Sequence, residues 1–87
     1  MHMTDLADEV RLMVTLPGPA ERKVIRQRAR VTTVRMAEEL GVQPLAVKRW
    51  ENGTREPRGE LRLRYARLLR MFAEIVEAAE HEAQVPA

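Results

Sequence analysis

The sequence predicts an all-α fold: a compact five-helix bundle with a central pair of short helices, an added helix at its N-terminal end and a long helix at its C-terminal end. Three observations carry this expectation. Apolar residues recur at helical spacing and nowhere alternate with polar ones for long enough to make a strand. Pro and Gly punctuate the chain into five helical segments. The 87 residues leave room for one domain with a modest core.

The first helix is expected from Asp5 to about Val14, with Thr4 as its N-cap and acids in the first turn, where the helix dipole favours them. Leu6, Val10, Met13 and Val14 share its apolar face. Leu16-Pro17-Gly18-Pro19 is a strong break, so residues 1–18 read as an N-terminal helix and linker. The main domain follows over residues 19–81, and residues 82–87 read as a frayed tail. Pro19 suits the first turn of a second helix that runs to about Arg30 with Val24, Ile25 and Ala29 as its apolar stripe. Thr32 or Thr33 caps a third helix, which stops at Leu40-Gly41. Gln43-Pro44 opens a fourth, ended by Asn52-Gly53. After a loop over residues 54–59, the last helix runs from about Glu60 to about His81. Leu61, Tyr65, Leu68, Leu69, Phe72, Ile75, Val76 and Ala79 line one side of it. Leu63, Arg67, Arg70, Glu74 and Glu77 line the other, which leaves Leu63 exposed as a candidate dimer contact. Packing of the first helix on the last is expected to shelter Met13, Phe72 and Val76.

The formal net charge is +2, but it is segregated along the chain. Residues 22–70 hold fourteen of the fifteen Lys and Arg against five of the thirteen acids, a surplus of nine. The flanks, residues 1–21 and 71–87, carry −3 and −4. A basic middle between acidic ends suits a polyanion-binding core, although a solvated Arg-rich surface has the same composition. The absence of cysteine rules out a disulfide framework and a cysteine-based zinc site, and it fits a reducing cytosol. No apolar run approaches the ~20 residues that span a bilayer. Asp5, Asp8 and Glu9 stand where a secretory leader is apolar. The expectation is a cytoplasmic, nucleoid-associated protein with no membrane contact.

The most informative stretch runs from Thr33 to Trp50. Two short helices meeting at a steep angle need small or apolar residues at set positions. Met36 and Leu40 are expected to face inward from the first of the pair, and Ala37 stays small where the second crosses it. Gly41 permits the sharp turn, Val42 plugs it, and Val47 and Trp50 face inward from the second helix. An αα-hairpin of this kind is the DNA-binding supersecondary unit.

Over about Ala20 to Leu69 the sequence resembles the Cro/C1-type helix-turn-helix regulators, the Xre family. The likeness is most specific in Gly41-Val42, in Val47-Lys48-Arg49-Trp50-Glu51-Asn52-Gly53, and in Arg55 and Pro57. The run RWENGTREPRGE with the later YARLL is similar to small regulators of actinobacteria and their phages. The resemblance implies a lambda-repressor-like bundle that binds double-stranded DNA and regulates transcription, most simply as a repressor. It implies that the helix after the turn lies in the major groove. The base-reading residues would then be Gln43, Pro44, Leu45, Lys48 and Arg49. Arg49 is the first choice, because an arginine can donate two hydrogen bonds to one guanine. Phosphate contacts would come from Thr32, Thr33 and Arg35 before the turn, and from Asn52, Thr54 and Arg55 after the reading helix. Glu51 would pair with Arg26 in a structural role rather than touch DNA.

The sequence departs from the family pattern in three places. Arg30 stands near a usual glycine, Pro44 and Leu45 replace polar residues at the start of the reading helix, and the last helix is long. A homodimer on a two-fold site is expected, because one small module reads few bases. A helix-turn-helix scaffold can also serve as an antitoxin, as an adaptor that grips a protein partner through its terminal helices, or as an architectural factor in phage excision. Nothing points to an enzyme, a cofactor or a metal. Glu77 and His81 lie one helical turn apart with no third ligand, and Asn52-Gly53-Thr54 matches a glycosylation sequon only by coincidence in such a protein.

Overall fold

Proline and glycine set the helix boundaries. The computed structural model describes residues 3–84, with side chains from Asp5 onward. It contains α1 (Met3–Val14), α2 (Pro19–Arg28), α3 (Thr33–Leu40), α4 (Pro44–Asn52) and α5 (Gly59–Gln84), and no strand among the described residues. The all-α five-helix expectation holds. Thr4 lies inside α1 rather than before it, and Val85, Pro86 and Ala87 of the expected tail lie outside the described residues.

α2 and α4 each begin with proline, whose fixed φ and missing N–H suit the first helical position. Gly41 (φ 71) and Gly53 (φ 80) end α3 and α4 in the left-handed region. At Gly41 the turn is sealed by its own N–H donating to the Glu38 carbonyl and by the Val42 N–H donating to Ala37. Gly53 also lies against Pro19, so a Cβ there would sit 3.4 Å from the ring.

α2 ends two residues short of the expected Arg30. Arg30 itself takes φ 60, and it is a non-glycine residue in left-handed backbone. Its N–H donates to Gln27 and the Val31 N–H donates to Arg26, which closes the end of α2.

The main core joins Met36, Ala37 and Leu40 of α3, Val47 and Trp50 of α4, and Tyr65 and Leu69 of α5. The Trp50 and Tyr65 rings lie 4.8 Å apart and tilted by 47°, close enough to add to burial. Leu61, Leu68, Phe72, Ile25 and Val42 are half-buried against this cluster.

Three expected faces are corrected. The inward residues of α2 are Arg22 and Arg26, flanked by half-buried Ile25 and Ala29, whereas Val24 is exposed. On α5, Leu63 is buried and Ile75 is 62% exposed, the reverse of the expectation. On α1, Leu12 is the buried residue, in a second cluster with Leu63 and Ala66, while Leu6, Val10 and Val14 face out. The α5 face that receives α1 explains this rotation. Beyond Leu63 and Ala66 it offers Arg67, which pairs with Glu9 at 3.6 Å, so α1 turns Leu12 and Glu9 toward α5 and leaves Asp5 and Asp8 exposed. Met13 is half-buried in that cluster, but Phe72 packs on the main core instead.

Candidate nucleic-acid interface

α4 is anchored by one face and presents the other. Val47, Trp50 and Glu51 are buried, with Ala46 half-buried beside them. Leu45, Lys48, Arg49 and Asn52 are all exposed. Their spacing of three, four and seven residues makes them one stripe along the helix. Gln43 is exposed at the N-cap without a side-chain capping bond, so its amide is uncommitted; Pro44 is half-buried.

The anchor is partly ionic. Arg26 Nε and Nη2 donate to the two Glu51 carboxylate oxygens at 2.6 and 3.0 Å, and Nη1 donates to the Val31 carbonyl at 2.7 Å. Both side chains are under a tenth exposed, so the pair ties α4 to α2 where water cannot replace it. The hydrogen bonds that Arg26 donates to the Glu51 carboxylate hold its guanidinium above the usual arginine value. Beside the pair, burial pushes the Tyr65 phenol up. The Tyr65 hydroxyl has no hydrogen-bond partner among the described residues.

A second ionic anchor was not anticipated from the sequence. Arg22, one turn before Arg26 and 4% exposed, forks onto Glu56 with two bonds of 2.8 Å. It also donates to the Pro17 carbonyl at 2.6 Å and the Trp50 carbonyl at 3.1 Å. One guanidinium thus joins the α1–α2 link, the end of α4 and the loop after it. Arg22, with Arg62 at 3.2 Å, holds the Glu56 carboxyl below the usual carboxylate range. The available signal was the four-residue spacing of Arg22 and Arg26, which places both on one face. In so basic a helix, nothing local separates inward arginines from solvated ones.

The rim residues stand as follows. Thr32 caps α3, its hydroxyl oxygen accepting from the Arg35 N–H at 3.0 Å, and Thr33 is half-buried. Arg35 is exposed but pairs with Glu39 at 3.0 Å, an i,i+4 surface contact weak enough to exchange. After α4, the Asn52 side-chain oxygen accepts from the Thr54 N–H at 3.0 Å and from its hydroxyl at 2.6 Å. That closes the turn and leaves the Asn52 amide nitrogen facing out as a donor. Arg55 and Arg58 follow, both exposed.

Charge pairing sorts the surface. Arg11, Arg28, Arg67 and Arg70 have acidic partners on α1 or α5. Arg64 donates to the Glu39 carbonyl at the end of α3. Lys48, Arg49, Arg55 and Arg58 make no side-chain hydrogen bond or ion pair among the described residues. Those four lie on α4 and the loop that follows it; Lys23 on α2 and Arg30 just after it are also exposed without such a partner. Arg49, Arg55 and Arg58 also border one open cleft whose floor includes Ala46, Trp50 and Leu61. Arg58 was not singled out from the sequence; its place beyond Pro57 gave no periodicity to read.

Among the described residues no group of three or more His, Cys, Asp or Glu is placed to hold a metal ion, and no helix is long and apolar enough to cross a membrane. No protein-family model, curated protein or solved structure matches the chain.

Proposed function

We propose that the protein binds double-stranded DNA in a sequence-specific way and regulates transcription, with α4 as the reading helix. The observation that carries this reading is the exposed stripe of Leu45, Lys48, Arg49 and Asn52, continued by Arg55 and Arg58, with no acid pairing its cations. A cationic helix face held rigidly on a buried base suits the major groove, which admits an α-helix and carries a distinct pattern for each base pair. Arg49 reads guanine, Lys48 reaches a base or a phosphate, and Leu45 meets a thymine methyl group. Thr32, Thr33, Arg35, Asn52, Thr54 and Arg55 position the backbone, and Arg58 joins them. The complex is two-fold, and occupying promoter DNA is the simplest mode of repression.

Selection from random duplexes tests the reading. It should return one motif with two-fold symmetry, bound with an affinity that falls steeply as salt rises. Arg49→Ala should weaken the selected duplex by roughly ten- to a hundredfold and random duplex far less. Equal loss on both would demote Arg49 to a phosphate contact. Arg55→Ala should weaken both alike and reduce the salt slope by about one.

A second reading is favoured by α1. Its exposed Leu6, Val10 and Val14 form an apolar stripe of the sort that grips a protein partner, as an antitoxin or adaptor would. No duplex binding at physiological salt, together with a salt-insensitive protein complex lost in Val10→Asp, would favour it over the first.

A further inference from the structure

Glu56 is an acid set among cations. It borders the same open cleft as Arg49, Arg55 and Arg58, and Arg55 is its neighbour in the chain. A free carboxylate there would pair with one of them, as Glu39 does with Arg35 on α3. It pairs with none of the three. Buried Arg22 takes both of its oxygens, at 2.8 Å each, and half-buried Arg62 donates to one of them at 3.2 Å. Arg22 is itself fixed, because it also donates to the Pro17 carbonyl at 2.6 Å and the Trp50 carbonyl at 3.1 Å. The backbone on both sides of Glu56 is tied as well. The Thr54 and Arg55 N–H groups donate to the Arg49 carbonyl at 3.1 and 3.4 Å, Pro57 is buried, and the Arg58 carbonyl accepts from the Arg62 N–H at 3.3 Å. Arg55 and Arg58 are the exposed cations that flank this pinned pair, Glu56 and Pro57.

We propose that Glu56 is a positioning residue for the loop after α4: its clasp with Arg22 fixes the backbone of residues 54–58 and keeps the acid off its neighbours, so that Arg55 and Arg58 stand unpaired beside Arg49 before a duplex arrives. A carboxylate held by two parallel N–H bonds is fixed in orientation as well as in place. The loop therefore has one arrangement in advance, and binding does not have to order it. The same fork occupies both oxygens, so the one acid bordering the cleft is matched by arginines on the protein's inner side rather than by those facing out. The effect of Glu56 on a polyanion is then the reverse of what its charge implies. Coulomb repulsion alone makes an acid beside phosphates unfavourable, so its removal should tighten binding; positioning makes its removal weaken binding. Glu60 supplies the comparison. It is exposed in the first turn of α5 and makes no side-chain hydrogen bond or ion pair among the described residues. The use of the clasp rests on the DNA-binding reading, but the clasp belongs to the free protein, so the two can fail separately.

Backbone ¹⁵N relaxation on the full-length chain without DNA reads the clasp. Order parameters at Arg55, Glu56 and Arg58 should be about 0.85 in wild type and should fall below about 0.6 in Glu56→Gln, with those of α3 and α4 unchanged. Wild-type values already below about 0.6 overturn the proposal, whether or not the variant folds; so does a loop that stays rigid in Glu56→Gln. Duplex titration gives a second readout. Glu56→Gln should weaken the selected and random duplexes alike, by roughly three- to tenfold, the ordering cost of one or two long side chains. Glu60→Gln removes the same charge nearby and should bind as tightly as wild type or tighter. In an Arg55→Ala/Arg58→Ala background Glu56→Gln should cost nothing further, because it acts through those two side chains. Binding by Glu56→Gln as tight as wild type, an equal loss in Glu60→Gln, or a loss that persists in the double-alanine background each overturns the proposal. A loop that is rigid in wild type and loosened in Glu56→Gln, in a protein that binds no duplex, supports the clasp and removes the DNA reading instead.

Discussion

Arg30 holds a backbone conformation that suits glycine, and its side chain has no ion pair among the described residues to compensate. Left-handed backbone costs a non-glycine residue ~1–2 kcal/mol, partly offset because glycine loses more entropy on folding. Arg30→Gly should therefore raise stability by about 1 kcal/mol, read from the midpoint of urea unfolding. Glu56 makes the opposite kind of contribution. Arg22 holds its folded-state pKa below the ordinary value, so the pair stabilises the fold at neutral pH. That contribution is complete above the unfolded carboxyl value and is lost as pH falls through the lower folded one. Acid titration of stability should show a loss below about pH 4.3, the ordinary glutamate value, and Glu56→Gln should flatten it. Glu56 is 43% exposed, so solvent weakens its effect relative to the buried Arg26–Glu51 pair. In that pair the sequence could suggest the partners, but only packing shows that water is excluded from both.

α4 is the element in which stability and the proposed function are most clearly separated by face. Trp50 is 4% exposed and packs at a tilt against Tyr65 beneath the stripe that carries Lys48 and Arg49. Trp50→Ala should cost ~3–5 kcal/mol and unfold much of the domain at room temperature, as large-to-small core changes do. Lys48→Ala and Arg49→Ala should melt like wild type, because exposed positions away from caps shift stability by about 0.5 kcal/mol or less. Thermal melts followed by circular dichroism separate the two classes; a Trp50→Ala protein melting like wild type would sink the inward assignment. This element was legible in advance because its constraints are local. Met36, Ala37, Leu40, Val47 and Trp50 are buried as expected, and Val42 is half-buried at the turn. Small and apolar residues at those positions admit one way of folding two short helices onto each other. α1 was not legible in the same way. Its candidate stripe of Leu6, Val10, Met13 and Val14 competes with the neighbouring face that carries Leu12 and Glu9, and the choice belonged to Arg67 and Leu63 on another helix.

Across the whole molecule, the α3–α4 pair and the α1–α5 contact are separate structures connected through α5, on which α3 also packs. α1 packs on α5 and makes no comparable contact with α3 or α4. Leu12→Ala should accordingly cost about 2 kcal/mol, the low end for a core leucine, and leave duplex affinity unchanged. Urea unfolding and a duplex titration check the two halves of that statement. By itself the sequence determined the helix count, the breaks at Pro17-Gly18-Pro19, Gly41 and Gly53, the buried residues of the hairpin, and the basic character of the central segment. Each of these follows from bonded geometry or from periodicity within one or two turns. Only the tertiary structure decided which arginines are anchors and which are free. It put Arg22 and Arg26 inside, spent Arg64, Arg67 and Arg70 on internal partners, and left Lys48, Arg49, Arg55 and Arg58 to solvent. Every arginine carries the same charge and the same fork of donors; its role is set by the acids and carbonyls that other helices bring within reach, and no local window of sequence contains them.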